Sequence, residues 1–558
     1  MIDSRIILLP LTLAAALGAQ APAALHRFDG AAAQDQLGWS VRGAGDVDGD
    51  GFDDLIAGAY GDDTRGANAG AVQVFSGRDG SLLYRIQGDA AGDRFGAFVA
   101  AAGDVDGDGF ADLLVGAPRA DANGVDSGLA RVYSGRTGSV LHDLSGDAAG
   151  DQFGTGVAGL GDVDGDGHDD FAVGAPLEDD GGPDAGSVRV FSGRTGAVLR
   201  TLLGDGPGDR FGFSVAGPGD VDGDGFADVL VGAYLDDDSG FDSGSAKLFS
   251  GRTGAVLHTF LGDAVGDWFG RAVAAAGDVD RDGVGDLVVG AHLDDDNGTN
   301  SGSARVYSGA TGAVLHSLVG NAAGEFFGYA VGGAGDVDGD GHDDLVVGAY
   351  PLGSGRARVF SGRTGAVVQT FVGDAAGDWF GFSVGGAGDA DGDGFADFAV
   401  GAPQDDRSAV DAGSVRILTM GYTGTPATAR SVGRGCAGSN GHLPRAGHVG
   451  RPFLGTAVRV SLRGALPSTA VLLNLGAPTA IDLTAFGFGG CSLYATADGF
   501  VVAFSTDANG MARSGPITVP NVPALVGQPL VAQWICPDRT ANAGGFTLSD
   551  AIRLGIGR

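Results

Sequence analysis

Seven nine-residue segments concentrate carboxylates at a spacing suited to holding a hard cation. Each reads D-x-D-x-D-G-x-x-D, and the copies begin at Asp46, Asp104, Asp162, Asp220, Asp278, Asp336 and Asp389. In a curled loop the side chains at positions 1, 3 and 5 point toward one centre. Glycine at 6 permits the sharp turn, position 7 offers its backbone carbonyl, and position 9 closes the shell. The candidate ligands are therefore Asp46, Asp48, Asp50, Phe52 and Asp54 in the first loop and Asp104, Asp106, Asp108, Phe110 and Asp112 in the second. The third offers Asp162, Asp164, Asp166, His168 and Asp170, and the fourth Asp220, Asp222, Asp224, Phe226 and Asp228. The fifth offers Asp278, Asp280, Asp282, Val284 and Asp286, the sixth Asp336, Asp338, Asp340, His342 and Asp344, and the seventh Asp389, Asp391, Asp393, Phe395 and Asp397. The Phe, His and Val residues enter through main-chain oxygen. A donor set made of oxygen alone selects a hard cation, and calcium suits it better than magnesium, which keeps more of its own water. The expected cofactor is calcium, up to seven ions.

These are not EF-hands, because position 12, where that motif needs a bidentate glutamate, holds Ala57, Val115, Val173, Val231, Val289, Val347 and Val400. Aspartate and glycine favour turns without any metal. Turn chemistry alone does not explain why all four acidic positions are kept in every copy. The fifth loop departs most: Arg281 stands where the others have glycine, and Val284 and Gly285 follow.

The rest of the composition agrees with this placement. Of 70 acidic residues only Glu178 and Glu325 are glutamate, as expected where the shorter carboxylate must reach back onto a tight loop. A formal net charge of -36 in 558 residues, with no separate basic stretch, excludes nucleic acid and anionic lipid as partners. Residues 1–23 read as a signal peptide, with Arg5, an apolar run from Ile6 to Leu17, and Ala21-Pro22-Ala23 at the cleavage side. The chain is expected to be secreted or held at the cell surface, with no membrane span after cleavage.

What positions the loops is a repeat. Successive loop starts lie 58 residues apart five times and then 53, where Pro351-Leu352-Gly353-Ser354-Gly355 replaces a longer acidic connection. Within the second copy, alternation and turn residues give four strands: Phe95 to Ala101, Leu113 to Ala117, Leu129 to Tyr133 and Val140 to Leu144, with Gly135 to Gly138 as the hairpin turn. Seven such sheets cannot bury their faces singly, and stacking them around an axis gives an all-β, seven-bladed β-propeller. The chain ends argue for closure. Ala24-Leu25-His26-Arg27-Phe28 matches a fourth strand yet precedes the first unit, whereas the seventh unit has none after Val415 to Thr419. The N-terminal segment is expected to pair with Val415 to Leu418 and remove the open edge.

Phe-Gly opens each unit (Phe95-Gly96, Phe153-Gly154, Phe211-Gly212, Phe269-Gly270, Phe327-Gly328, Phe380-Gly381, with Leu37-Gly38 in the first). Gly-Ala-Pro or a near variant closes the second strand, as in Gly116-Ala117-Pro118, Gly174-Ala175-Pro176 and Gly401-Ala402-Pro403. With these the chain resembles the FG-GAP repeat family, of which integrin α-subunit propellers are members. The resemblance implies calcium loops on one face and a protein or glycan ligand on the other, built by the connections between strands 2 and 3 and between blades. Those connections include Asp62-Asp63, Glu178-Asp179-Asp180, Asp236-Asp237-Asp238, Asp294-Asp295-Asp296 and Asp405-Asp406, an expected acidic recognition face. The implied role is a calcium-binding adhesion or ligand-binding module, not an enzyme. The alternative is the propeller of an extracellular polysaccharide lyase or hydrolase.

Other motifs carry less. Gly381-Phe382-Ser383-Val384-Gly385 matches a hydrolase pattern but starts a strand, not the strand-to-helix elbow that a nucleophile needs. His26, His142, His258 and His316 recur at one fourth-strand position and report blade packing. The domain reading is 1–23 signal peptide, 24–420 propeller, 421–435 linker and 436–558 a C-terminal β-sandwich-like domain. Strand-like runs in that last domain lie at Ala457 to Leu462, Ala470 to Leu475, Phe500 to Phe504 and Leu530 to Ile535. Its layout resembles C-terminal domains of exported planctomycete-type bacterial proteins, and among Cys436, Cys491 and Cys536 the expected bridge is Cys436 to Cys491.

Overall fold

The ring follows from what each strand of a unit can bury. In the computed structural model, residues 24–350 and 352–420 are described in full, and beyond them only the backbone of strands between Ala429 and Gly555. Residues 24–420 form seven four-stranded antiparallel sheets, six in simple strand order and the seventh completed by the N-terminal strand. Second strands such as Asp112–Ala117 are buried at every residue because neighbouring blades cover both faces. First strands such as Gly156–Gly161 are rich in Gly, Ala and Val because seven of them converge on the axis. Fourth strands such as Val140–Ser145 form the half-exposed outer edge.

The closing strand is where the sequence places it. Ala24–Asp29 pairs antiparallel with Ser414–Leu418, with Phe28 opposite Val415 and Asp29 opposite Ser414. A second tie, the bridge between Leu37 and Gly413, repeats across the seam the Phe–Gly bridges between other neighbouring blades, such as Phe95 with Gly70. The core is accordingly split into inter-blade layers. The layer at the seam joins Phe28, Val415 and Ile417 of blade 7 to Leu37, Val41, Leu55 and Phe75 of blade 1.

One detail differs from expectation. The first strand of blade 2 runs Phe98–Gly103, not from Phe95, because Phe95 turns away to bridge the preceding blade and is buried between the two. The second, third and fourth strands, Asp112–Ala117, Leu129–Tyr133 and Val140–Ser145, match expectation to within one residue.

In the last quarter, strands at Ala457–Arg463, Ala470–Gly476 and Pro529–Pro537 cover the expected runs, and Val501–Ser505 overlaps the run Phe500 to Phe504. Ala429–Val432, inside the segment read as a linker, pairs with Ala551–Gly555. The signal peptide and the Cys436 to Cys491 bridge lie outside the described residues.

Phe28 stacks on Phe75 of the next blade at 3.9 Å between ring centroids. Phe28→Ala is expected to lower stability by about 3 kcal/mol in urea unfolding. Leu82→Ala, at a side chain 51% exposed on a fourth strand, should change it by less than about 0.5 kcal/mol.

Candidate metal loops

Each loop is a chain of side-chain-to-backbone turns. In the first, Asp46 Oδ1 accepts from the Gly49 and Asp50 amides at 2.7 and 3.0 Å, and Oδ2 from Gly51 at 3.0 Å. Asp48 accepts from the Asp50 amide and Asp50 from the Phe52 amide, both at 3.0 Å. These bonds use one oxygen each of Asp48 and Asp50 and leave a second for another partner. The carboxylates converge as their spacing suggests: single oxygens of Asp46, Asp48 and Asp50 lie within 4.8 Å of one another, as do those of Asp104, Asp106 and Asp108. In the third and fourth loops the ninth position takes the place of the fifth in the cluster, as Asp162, Asp164 and Asp170 and as Asp220, Asp222 and Asp228, without Asp166 or Asp224.

Position 9 also has a role that the spacing alone did not reveal. Asp54, Asp112, Asp170, Asp228, Asp286, Asp344 and Asp397 are all fully buried. Their Oδ2 atoms accept the position-2 amide at 2.8–3.0 Å. In the first six blades Oδ1 also accepts the amide of the glycine that opens the strand 3–4 hairpin, from Gly77 to Gly362. The recurrent Ser-Gly before each hairpin was the available signal. Burial pushes Asp54 and Asp344 up to about 7 and Asp112, Asp170, Asp228 and Asp286 to about 6, with neighbouring loop carboxylates adding to the rise. Asp397 reaches about 8 for the same reasons.

Two further oxygens bear on what the loops accept. Asp104 Oδ1 and Asp278 Oδ1 are buried and accept no hydrogen bond. A buried carboxylate oxygen without a donor is unfavourable, and a hard divalent cation at the loop centre would meet it. The donor set fits such an ion.

Adjacent loops brace one another. The position-7 side chain of one blade reaches over the preceding loop: His168 Nδ1 bonds the position-2 carbonyl of Val105 at 2.9 Å, and His342 Nδ1 that of Val279 at 2.7 Å. The Phe110 ring lies so close over Gly49 that a Cβ there would meet it at 2.4 Å, and Phe52 covers Gly392 in the same way across the seam. Asp53, Asp169 and Asp343 at position 8 accept the first amide of the preceding loop, from Asp389, Asp104 and Asp278. The weak joint lies between loops 4 and 5. Val284 leaves Gly223 facing open space, and Arg281 takes φ +65°, a conformation that its loop counterparts reach as glycine.

The acidic connections on the opposite face are less free than expected. The first acid of each is buried: Asp62 pairs with Arg85, Glu178 with Arg189, and Asp405 with Arg27, while Asp236 and Asp294 accept from Ser245 and Ser303. The second folds its own loop, as when Asp237 accepts the Asp242 amide at 2.7 Å. Only Asp180, Asp238 and Asp296, third in their runs, remain outward and uncommitted to the loop frame. Ser383 donates to the Gly38 carbonyl at 2.7 Å from within a strand, and His26, His142 and His316 bond hairpin carbonyls of the next blade.

Comparison with known proteins agrees with the repeat. Family profiles described as FG-GAP repeat match residues 37–75, 95–133, 153–191, 327–368 and 380–418, and a second of the same description matches 262–307. Integrin alpha-4 of Xenopus laevis is 35% identical over 239 residues, 40% of this chain and 22% of the relative. Integrin alpha-V of Gallus gallus is 36% identical over 215 residues (36% and 20%), and integrin alpha-IIb of Homo sapiens is 39% identical over 170 (27% and 16%). The chain thus matches about a fifth of the length of these relatives.

Replacing Arg281 with glycine removes a left-handed non-glycine residue. Arg281→Gly is expected to raise stability by about 1 kcal/mol, seen as a higher thermal midpoint in calcium.

Proposed function

Because residues 24–420 form an integrin-like FG-GAP β-propeller, we propose that this chain is a secreted, calcium-binding adhesion or ligand-binding module of the cell surface or extracellular matrix. The observation that carries the metal part is the pair of orphaned, buried oxygens on Asp104 and Asp278, the first of them inside a cluster of convergent carboxylates. In each loop, positions 1, 3, 5 and 9 hold the ion through carboxylates and position 7 through its carbonyl. Seven dications would cancel 14 of the 36 excess negative charges.

The ligand, a protein or a glycan, meets the face opposite the metal loops. Its surface combines outward acids such as Asp238 with exposed apolar tips on the strand 2–3 connections, Val125, Phe241 and Val410. Large apolar side chains raised on loop tips are interface material. Among the described residues no helix is long and apolar enough to cross a membrane.

Chelation tests the metal. A site at about a hundredfold its dissociation constant contributes roughly 2.7 kcal/mol, so excess EGTA should lower the thermal midpoint by many degrees, and an unchanged melt contradicts filled loops. Glycan and matrix-protein arrays test the module. Binding to an array member should fall at least about tenfold in Phe241→Ala with the melt preserved, and hydrolysis or β-elimination of an arrayed polysaccharide would overturn the binding reading.

A further inference from the structure

The first strands run toward the metal loops, so the residues that open them wall the far end of the central channel. There they enclose a cavity of about 220 Å³. Its walls are aromatic: Trp39 touches Phe382 at 4.4 Å between centroids, Phe382 touches Tyr329 at 5.1 Å, and Phe98 touches Phe213 at 6.4 Å. Two guanidinium groups enter it. Arg271 lies 3.8 Å over the Tyr329 ring and 5.4 Å over Phe213, and donates to Tyr329 Oη at 2.6 Å. Arg42 donates to the carbonyls of Val41 and Val384, both at 2.8 Å, and also lines the next chamber down the channel.

Neither arginine forms an ion pair among the described residues, and no residue lining the cavity is acidic. This departs from the cations of the third strands. The third-strand cations Arg131, Arg189, Lys247, Arg305, Arg358 and Arg416 each reach a carboxylate. In a chain with a net charge of -36, two unneutralised cations facing one half-open pocket call for an anion. Burial already lowers the Arg42 guanidinium below its ordinary value, the direction expected where counter-charge is missing.

We infer that the channel mouth binds a small monocarboxylate carrying one aromatic ring, its carboxylate on Arg271 and its ring against the aromatic wall. A volume of about 220 Å³, below the roughly 300 Å³ typical for drug-sized ligands, suits one ring. A cationic ligand is disfavoured, because Arg271 already covers Tyr329 and would repel it. A sugar acid fits less well, because the wall hydroxyls are engaged. Thr155, Ser214 and Ser383 donate to backbone carbonyls, and Ser40 accepts the Val99 amide. This inference does not depend on calcium in the loops or on an adhesion role.

Titration calorimetry on the full chain with phenylacetate, phenylacetamide and glucuronate tests it. Phenylacetate should bind, with the neutral amide and glucuronate each at least about tenfold weaker. Arg271→Met should weaken phenylacetate by at least about tenfold while the thermal melt is retained. The comparison of acid with amide needs no variant, so it stands even if the substitution harms folding. Equal binding of acid and amide, no binding of phenylacetate at about 10 mM, glucuronate as the tighter ligand, or a folded Arg271→Met with unchanged affinity would each overturn the proposal.

Discussion

A backbone approach between glycines sets the spacing of the blades. The glycine of each second strand faces the carbonyl of the opening Phe-Gly or Leu-Gly glycine in the next blade, and a Cβ there would lie 1.9–2.1 Å from that oxygen. This holds from Gly58 against Gly96 to Gly401 against Gly38, the last across the seam. The opening glycine also donates its amide within its own blade, as Gly96 does to the Gly116 carbonyl at 3.0 Å. The two halves of the repeat signature are therefore the two sides of one contact. No residue with a side chain fits the second-strand position without moving the blades apart.

The metal loops depend on that spacing. Only when blades sit this close does the position-7 ring of one loop cover the turn of its neighbour and the position-8 aspartate reach back to the first amide. The acids end up braced in a circular belt, with their ninth carboxylates fully buried. A belt of buried carboxylates is electrostatically unfavourable by itself, as the upward shifts at position 9 record. A divalent ion held in a loop would turn the same arrangement into a stabilising one, and the joint interrupted by Arg281 and Val284 is where the bracing is thinnest.

Much of this was legible because the ring repeats. The period, the four-strand unit, the closing strand at Ala24 and the convergence of acids at fixed spacing all rest on features copied seven times. What the sequence hid were contacts between copies. Phe95 reads as part of a strand until its partner Gly70 in the preceding blade is seen. Asp62 and Asp236 read as surface acids until Arg85 and Ser245 are found beside them. The channel mouth was the least legible: Trp39, Phe213, Arg271, Tyr329 and Phe382 each follow the opening Phe-Gly or Leu-Gly of their copies, but the residue type there changes from copy to copy and Phe98 stands one place later. Only the symmetry of the closed ring brings them together.

The most direct test of the central claim is a count of bound ions. The chain, stripped by chelator and dialysed, is titrated with calcium while free ion is measured. The account predicts saturation at seven ions per chain, with the last site the weakest and displaced toward the others' affinity by Arg281→Gly. A chain that binds no calcium at millimolar free ion (about -4.1 kcal/mol per site or weaker) would contradict it.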